Sequence, residues 1–105
     1  MRELTVSELQ QWKEEGKDFQ LIDVREPFEY EMSNLEGENI PLAGVIIEAD
    51  KISKDKPVVM QCRSGARSAA AINQLEQTLG YSNLYNLKGG ILAWAAEIDD
   101  SIQVY

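Results

Sequence analysis

The chain has 105 residues, 44% of them hydrophobic and 27% charged, which suits one globular domain over residues 1–105. Ten basic against eighteen acidic residues give a formal net charge of −8, which argues against nucleic acid or an anionic membrane as partner. No segment is apolar and long enough to span a bilayer, the N-terminus lacks a secretion-signal pattern, and a single cysteine fits a reducing compartment, so a cytoplasmic location is expected.

After an extended start, Leu4 to Glu15 reads as a helix, with Thr5 and Glu8 at capping-box spacing and Gly16 at its end. Val6, Leu9 and Trp12 recur at helical intervals, which points Trp12 at the core. Phe19 to Val24 reads as a strand whose Leu21-Ile22 pair suits a sheet covered on both faces. Pro27 is placed as the first residue of a short helix, Phe28 to Met32. Ser33 to Asn39 is a polar loop, and Ile40 an extended stub. Leu42 to Ile52 has apolar residues at about helical spacing, although Gly44 and the β-branched Val45 and Ile46 weaken that helix. Val58 to Gln61 is the most strand-like run, and Ala69 to Leu79 the most helical. Gly80 and Tyr81 supply its C-terminal stop. Leu84 to Leu87 is a third strand, Lys88 to Gly90 a turn, Ile91 to Ile98 a helix with Trp94 toward the core, and Asp99 to Tyr105 a tail. Alternating strands and helices predict an α/β fold, a parallel sheet with helices on both faces.

In such sheets, ligands bind beyond the carboxyl ends of strands. Three segments lie there: Asp23-Val24-Arg25, Cys62 to Ser68, and Lys88-Gly89-Gly90. The lone Cys62 sits on a Gly-containing turn between strand and helix, where backbone N–H groups and the helix dipole favour an anion. The six residues Cys62 to Arg67 can curl into an anion-binding nest, Gly65 allowing backbone angles closed to other residues and Ala66 leaving room for a substrate. From Lys56 to Leu75 the chain carries Lys56, Arg63 and Arg67 and no acidic residue. Charges beyond roughly 8 Å are screened at physiological salt, so these arginines outweigh the acidic remainder for a small anion at Cys62. The predicted result is a thiol that ionises easily, and the thiolate is the reactive form. Asp23, between apolar Ile22 and Val24, is either a surface carboxylate or a buried one bonded to neighbouring loop N–H groups.

The chain contains no histidine, which excludes a Cys–His pair and any His-ligated metal site. No loop has calcium-ligand spacing, and no metal or cofactor is expected.

Three segments together resemble the signature of the rhodanese-like domain: Leu21-Ile22-Asp23-Val24-Arg25-Glu26-Pro27, Cys62-Arg63-Ser64-Gly65-Ala66-Arg67-Ser68 and Leu87-Lys88-Gly89-Gly90-Ile91-Leu92-Ala93-Trp94. The resemblance runs in order from Thr5 to about Glu97. It implies a five-stranded, mainly parallel sheet flanked by helices. It also implies a sulfurtransferase whose Cys62 takes sulfane sulfur from a small anionic donor such as thiosulfate and passes it to cyanide or a thiol. By the same resemblance, Arg63, Ser64, Gly65, Ala66, Arg67 and Ser68 form the substrate loop, and Asp23 and Arg25 support it. The polar segment Glu29 to Leu42 departs from the His-Ile-Pro-Gly pattern of many members. It resembles rhodanese domains fused to ubiquitin-activating-type enzymes, which makes a sulfur-relay protein a candidate partner. Competing readings are a noncatalytic or redox-regulatory module, with Cys62 oxidised to sulfenic acid, and a cysteine-loop phosphatase or arsenate reductase. The latter require C-x5-R, one residue longer; here the sixth position after Cys62 is Ser68.

Overall fold

Five short strands form one all-parallel sheet in the computed structural model, which describes residues 1–104. In chain order the elements are β1 (Arg2–Leu4), α1 (Val6–Glu15), β2 (Gln20–Asp23), α2 (Pro27–Met32), β3 (Glu38–Asn39), β4 (Val58–Gln61), α3 (Ala66–Leu79), β5 (Leu84–Leu87) and α4 (Gly90–Glu97). The strand order is β1-β5-β4-β2-β3, which puts β4, the strand leading into Cys62, at the centre. Every residue of β4 is buried.

Successive residues of each strand point to opposite faces, so the sheet divides the core in two. Ile22, Val58, Met60 and Leu84 pack with Ile72 and Leu75 of α3 and with Val45, Ala49 and Ile52. On the other face Leu21, Val59 and Leu87 pack with Val6 and Leu9 of α1 and Ile91 and Trp94 of α4, with Trp12 partly buried beside them. Leu9, Ile72 and Leu75 are completely buried. Truncating any of them to alanine should remove about 2–5 kcal/mol, readable by urea denaturation.

The local signals for helix ends hold. Thr5 Oγ1 accepts the Glu8 N–H at 3.1 Å and Glu8 Oε1 accepts the Thr5 N–H at 2.9 Å, the reciprocal cap of α1. Pro27 opens α2, and Gly80 closes α3 by donating its N–H to Glu76 O at 3.1 Å.

Several segments differ from the sequence reading. Leu42 to Ile52 is not a helix but two 3-10 turns, Leu42–Gly44 and Ala49–Lys51. Gly44 and the β-branched run Val45-Ile46-Ile47 disfavour continuous α-helix, and the Tyr81 hydroxyl lies 2.8 Å from the carbonyl oxygens of both Ala49 and Ile52, which ties the second turn to the core. The helix after Cys62 starts at Ala66 rather than Ala69, so Arg67 and Ser68 belong to its first turn. Arg2–Leu4 and Glu38–Asn39 are edge strands, paired with β5 and β2 respectively. In the predicted tail, Ile102 and Val104 pack against the second core, while Tyr105 lies outside the described residues. Among the described residues, no helix is long and apolar enough to cross a membrane.

Candidate active site

Cys62 follows the last residue of β4 and is 1% exposed. The chain then reverses over Arg63, Ser64 and Gly65 into α3. Gly65 has φ 111°, a left-handed conformation that side chains disfavour, and it caps the helix. This turn aims the Gly65 N–H at Cys62 Sγ, 3.0 Å away. The Ser68 hydroxyl lies 3.4 Å from the same sulfur.

These groups decide the ionisation of the thiol. Burial alone would push it up, because a buried thiolate loses its hydration. The Ser68 hydroxyl and the N–H groups of Ser68, Gly65 and Ser64 together outweigh burial and hold Cys62 below the ordinary thiol value. The low thiol pKa expected from the sequence thus has a specific source: the first turn of α3 and its preceding glycine.

The loop is held from behind by α4. Ile91 N–H donates to Cys62 O at 3.0 Å and Leu92 N–H to Arg63 O at 3.1 Å. Gly90 makes this approach possible. A Cβ there would lie 2.4 Å from Arg63 O and 2.5 Å from Cys62 O.

The predicted loop residues have different environments. Ser64 and Ala66 are exposed on the outer side, while Arg63 and Arg67 are half-buried. Ser68 is fully buried. Arg67 grips Glu29 of α2 through two hydrogen bonds, Nη1 to Oε1 at 2.7 Å and Nη2 to Oε2 at 2.9 Å. Its guanidinium is anchored across the site, yet its side chain remains 35% exposed.

Asp23 and Arg25 form a buried ion pair beside the loop. Arg25 Nη2 lies 2.7 Å from Asp23 Oδ2, and the Asp23 Oδ1 also accepts the Arg25 N–H at 2.9 Å. Of the two roles open to Asp23, the structure has the buried one. Arg25 then reaches Ser33 O at 2.8 Å and Glu29 O at 3.4 Å, pinning α2 over this end of the sheet.

Glu29 therefore links α2 to the loop, and sequence reasoning missed it. Its partner is 38 positions away. The Arg67 hydrogen bonds hold its carboxyl at about 2, against an ordinary 4.5. A lowered carboxyl contributes stability above its unfolded value that is lost as pH falls through the folded one. Glu29→Gln should flatten the acid limb of a urea-denaturation series between pH about 4.5 and 2, compared with the native chain. At neutral pH the cost should be about 1 kcal/mol or less, since solvent screens the exposed guanidinium.

Asn86 on β5 was also missed. It is buried, donates Nδ2–H to Gly65 O at 3.1 Å, and accepts from Ser68 Oγ at 2.5 Å. Its signal was present: a polar residue between Leu84 and Leu87 in a strand buried on both faces requires partners.

Comparison with known proteins identifies the family and the fold. The rhodanese-like domain family matches residues 5–97. The chain belongs to that family. A sulfurtransferase from Allochromatium vinosum is 38% identical over 96 residues, covering 90% of this chain and 89% of that protein. The probable adenylyltransferase/sulfurtransferase MoeZ of Mycobacterium tuberculosis is 31% identical over 105 residues, covering 97% of this chain. This chain spans only 26% of the length of MoeZ. Among solved structures, a rhodanese-related protein from Thermoplasma volcanium superposes with a TM-score of 0.81 at 33% identity, covering 93% of this chain and 94% of that one. The fold is rhodanese-like, as the three signature segments implied.

Proposed function

We propose that this rhodanese-like domain is a sulfurtransferase that carries sulfane sulfur as a persulfide on Cys62. The observation that carries the reading is the set of donors around one sulfur: the Gly65 N–H at 3.0 Å, the Ser68 hydroxyl at 3.4 Å, and the N–H groups of Ser64 and Ser68. Donors fixed by a helix start stabilise a sulfur anion without a histidine. The relative from Allochromatium vinosum, similar over most of its length, is named for the same activity.

The reaction has two displacements. The Cys62 thiolate attacks the outer sulfur of thiosulfate. A new S–S bond forms, the old one breaks, and its electron pair leaves with sulfite. Cys62–S–S⁻ then faces the same donors. In the second step cyanide or a thiolate attacks the outer sulfur and departs with it, and the bonding pair returns to Cys62 as thiolate. Arg63 and Arg67 supply the positive charge that draws in the anionic donor, Arg67 through a guanidinium that Glu29 holds in place. Charge balances in each step, with no change of electron count that would call for a redox partner.

A phosphatase reading fits the loop less well. Only six residues run from Cys62 to Arg67, one fewer than a C-x5-R loop, so fewer N–H groups are available to surround a phosphate held wholly inside the loop. The similarity to MoeZ, named an adenylyltransferase/sulfurtransferase, supports a protein partner in a sulfur relay. A free thiol of this kind suits a reducing, cytoplasmic setting.

Steady-state assays test the reading. Thiosulfate and cyanide varied against each other should give parallel double-reciprocal lines, the pattern of a covalent intermediate, and an aryl phosphate should not be hydrolysed. No transfer from thiosulfate, polysulfide or a cysteine desulfurase would sink it.

A further inference from the structure

We propose that Asn86 is a positioning residue that sets where the Ser68 hydroxyl proton points, holding it away from Cys62 while the sulfur is neutral and yielding it when the sulfur carries charge.

One hydroxyl proton has three acceptors within reach. Ser68 Oγ lies 2.5 Å from Asn86 Oδ1, 3.1 Å from Gly65 O and 3.4 Å from Cys62 Sγ. A hydroxyl donates to one of these at a time. The carboxamide of Asn86 cannot be turned end for end, because its Nδ2 donates to Gly65 O at 3.1 Å, and the reverse orientation would set two acceptor oxygens against each other. Oδ1 therefore faces Ser68. Two oxygens 2.5 Å apart need a proton between them, so with a neutral thiol the Ser68 proton lies on the Asn86 side. Ser68 then presents a lone pair to the sulfur.

A charged sulfur reverses the preference. Hydrogen bonds to an ionised acceptor are roughly twice as strong as neutral ones. One rotation of the hydroxyl redirects its proton from Oδ1 to the sulfur, and the two oxygens, no longer sharing a proton, move apart to ordinary contact. No covalent bond changes and no proton changes owner. The same rotation serves the thiolate and the persulfide of the proposed cycle. Asn86 and Cys62 thus compete for one donor, and Asn86 opposes the help that Ser68 gives.

The purpose of this competition rests on the sulfur-carrier reading, but its test uses the resting thiol, without any sulfur donor. Failure here is therefore distinct from failure of sulfur transfer. The readout is thiolate ultraviolet absorbance against pH, with thermal melts to confirm folding. The charged groups near this end of the sheet are the same in every variant, and Asn86→Asp adds one to them: Arg63 and Arg67 on the loop and first helical turn, Asp23 of β2, Arg25 just after it, and Glu29 of α2.

Ser68→Ala should reduce the thiolate fraction at a fixed pH below the midpoint. Asn86→Leu, of similar size but without a rival acceptor, should raise that fraction roughly threefold to tenfold. Gly65 O keeps its bond from the Ala69 N–H at 3.1 Å, so the loop retains its hold. In a Ser68→Ala background, Asn86→Leu should change nothing. Asn86→Asp keeps the acceptor and adds a negative charge, so it should lower the thiolate fraction, and by more when Ser68 is present. A fall in thiolate for Asn86→Leu would overturn the proposal. Equal effects of the Asn86 variants with and without Ser68 would overturn it too, and the aspartate variant carries that comparison if the leucine variant does not fold.

Discussion

Replacing Gly90 by alanine should unseat the Cys62 loop and be among the most damaging single-methyl additions to this chain. The backbone at Gly90 has φ 60°, and the left-handed region costs a side-chain-bearing residue roughly 1–2 kcal/mol. The added Cβ would also meet the carbonyls of Arg63 and Cys62 at 2.4 and 2.5 Å. Those are backbone atoms, and Ile91 and Leu92 hold the same carbonyls by hydrogen bonds, so neither side yields easily. Overpacking of this kind adds roughly 1–3 kcal/mol, for a total of about 2–5 kcal/mol. Against a domain stability of about 5–15 kcal/mol, that corresponds to a melting temperature lower by about 10 °C or more. Gly16→Ala isolates the backbone component. Gly16 has φ 67°, and a Cβ added there would meet nothing within 4 Å, so its replacement should cost only about 1 kcal/mol and spare activity. Similar losses from the two variants would remove the claim that α4 braces the cysteine loop by contact.

Asp23→Ala should be comparably severe for a different reason. Arg25 is 3% exposed, and the Asp23 carboxylate is its charge partner. Truncating Asp23 removes the carboxylate bonded to the guanidinium and leaves it the carbonyls of Ser33 and Glu29. Leaving one member of a buried pair uncompensated costs about 3–5 kcal/mol. The variant Asp23→Ala/Arg25→Met should recover part of that loss, because it removes both charges. Urea denaturation of the single and double variants checks this, and a double variant no more stable than the single one would show that the pair's charge is not what matters. Sulfur transfer should fall in both, since Arg25 is also what pins α2, and α2 carries the Glu29 that grips Arg67.

The parts of this site that were legible in the sequence are those written locally. A strand-like Val58 to Gln61 followed by a glycine and a helical pattern was enough to place Cys62 at a helix start, and Thr5 with Glu8 announced α1. What stayed hidden depends on contacts between distant segments. Glu29 looks like one more surface acid of a short helix until Arg67 is folded against it. Gly90 reads as half of a turn, and only the approach of the Cys62 carbonyl shows why a Cβ is intolerable there. The Leu42 to Ile52 pattern did mark buried residues, since Val45, Ala49 and Ile52 enter the core. It gave the wrong helix because Gly44 and the β-branched Val45-Ile46-Ile47 disfavour a continuous one, and Tyr81, far along the chain, ties the second turn to the core instead. The edge strands β1 and β3 are too short to carry a period of their own, and exist by pairing with β5 and β2.

Cys62 combines burial with several donors aimed at one sulfur atom, and the central claim is that this sulfur accepts another. Intact-mass measurement tests that most directly. After brief treatment with thiosulfate, or with a polysulfide or cysteine-desulfurase donor, the native chain should gain one sulfur atom. The gain should disappear on adding cyanide and be absent in Cys62→Ser. A native chain that gains no sulfur from any of these donors, or a Cys62→Ser chain that gains it equally, would contradict the assignment.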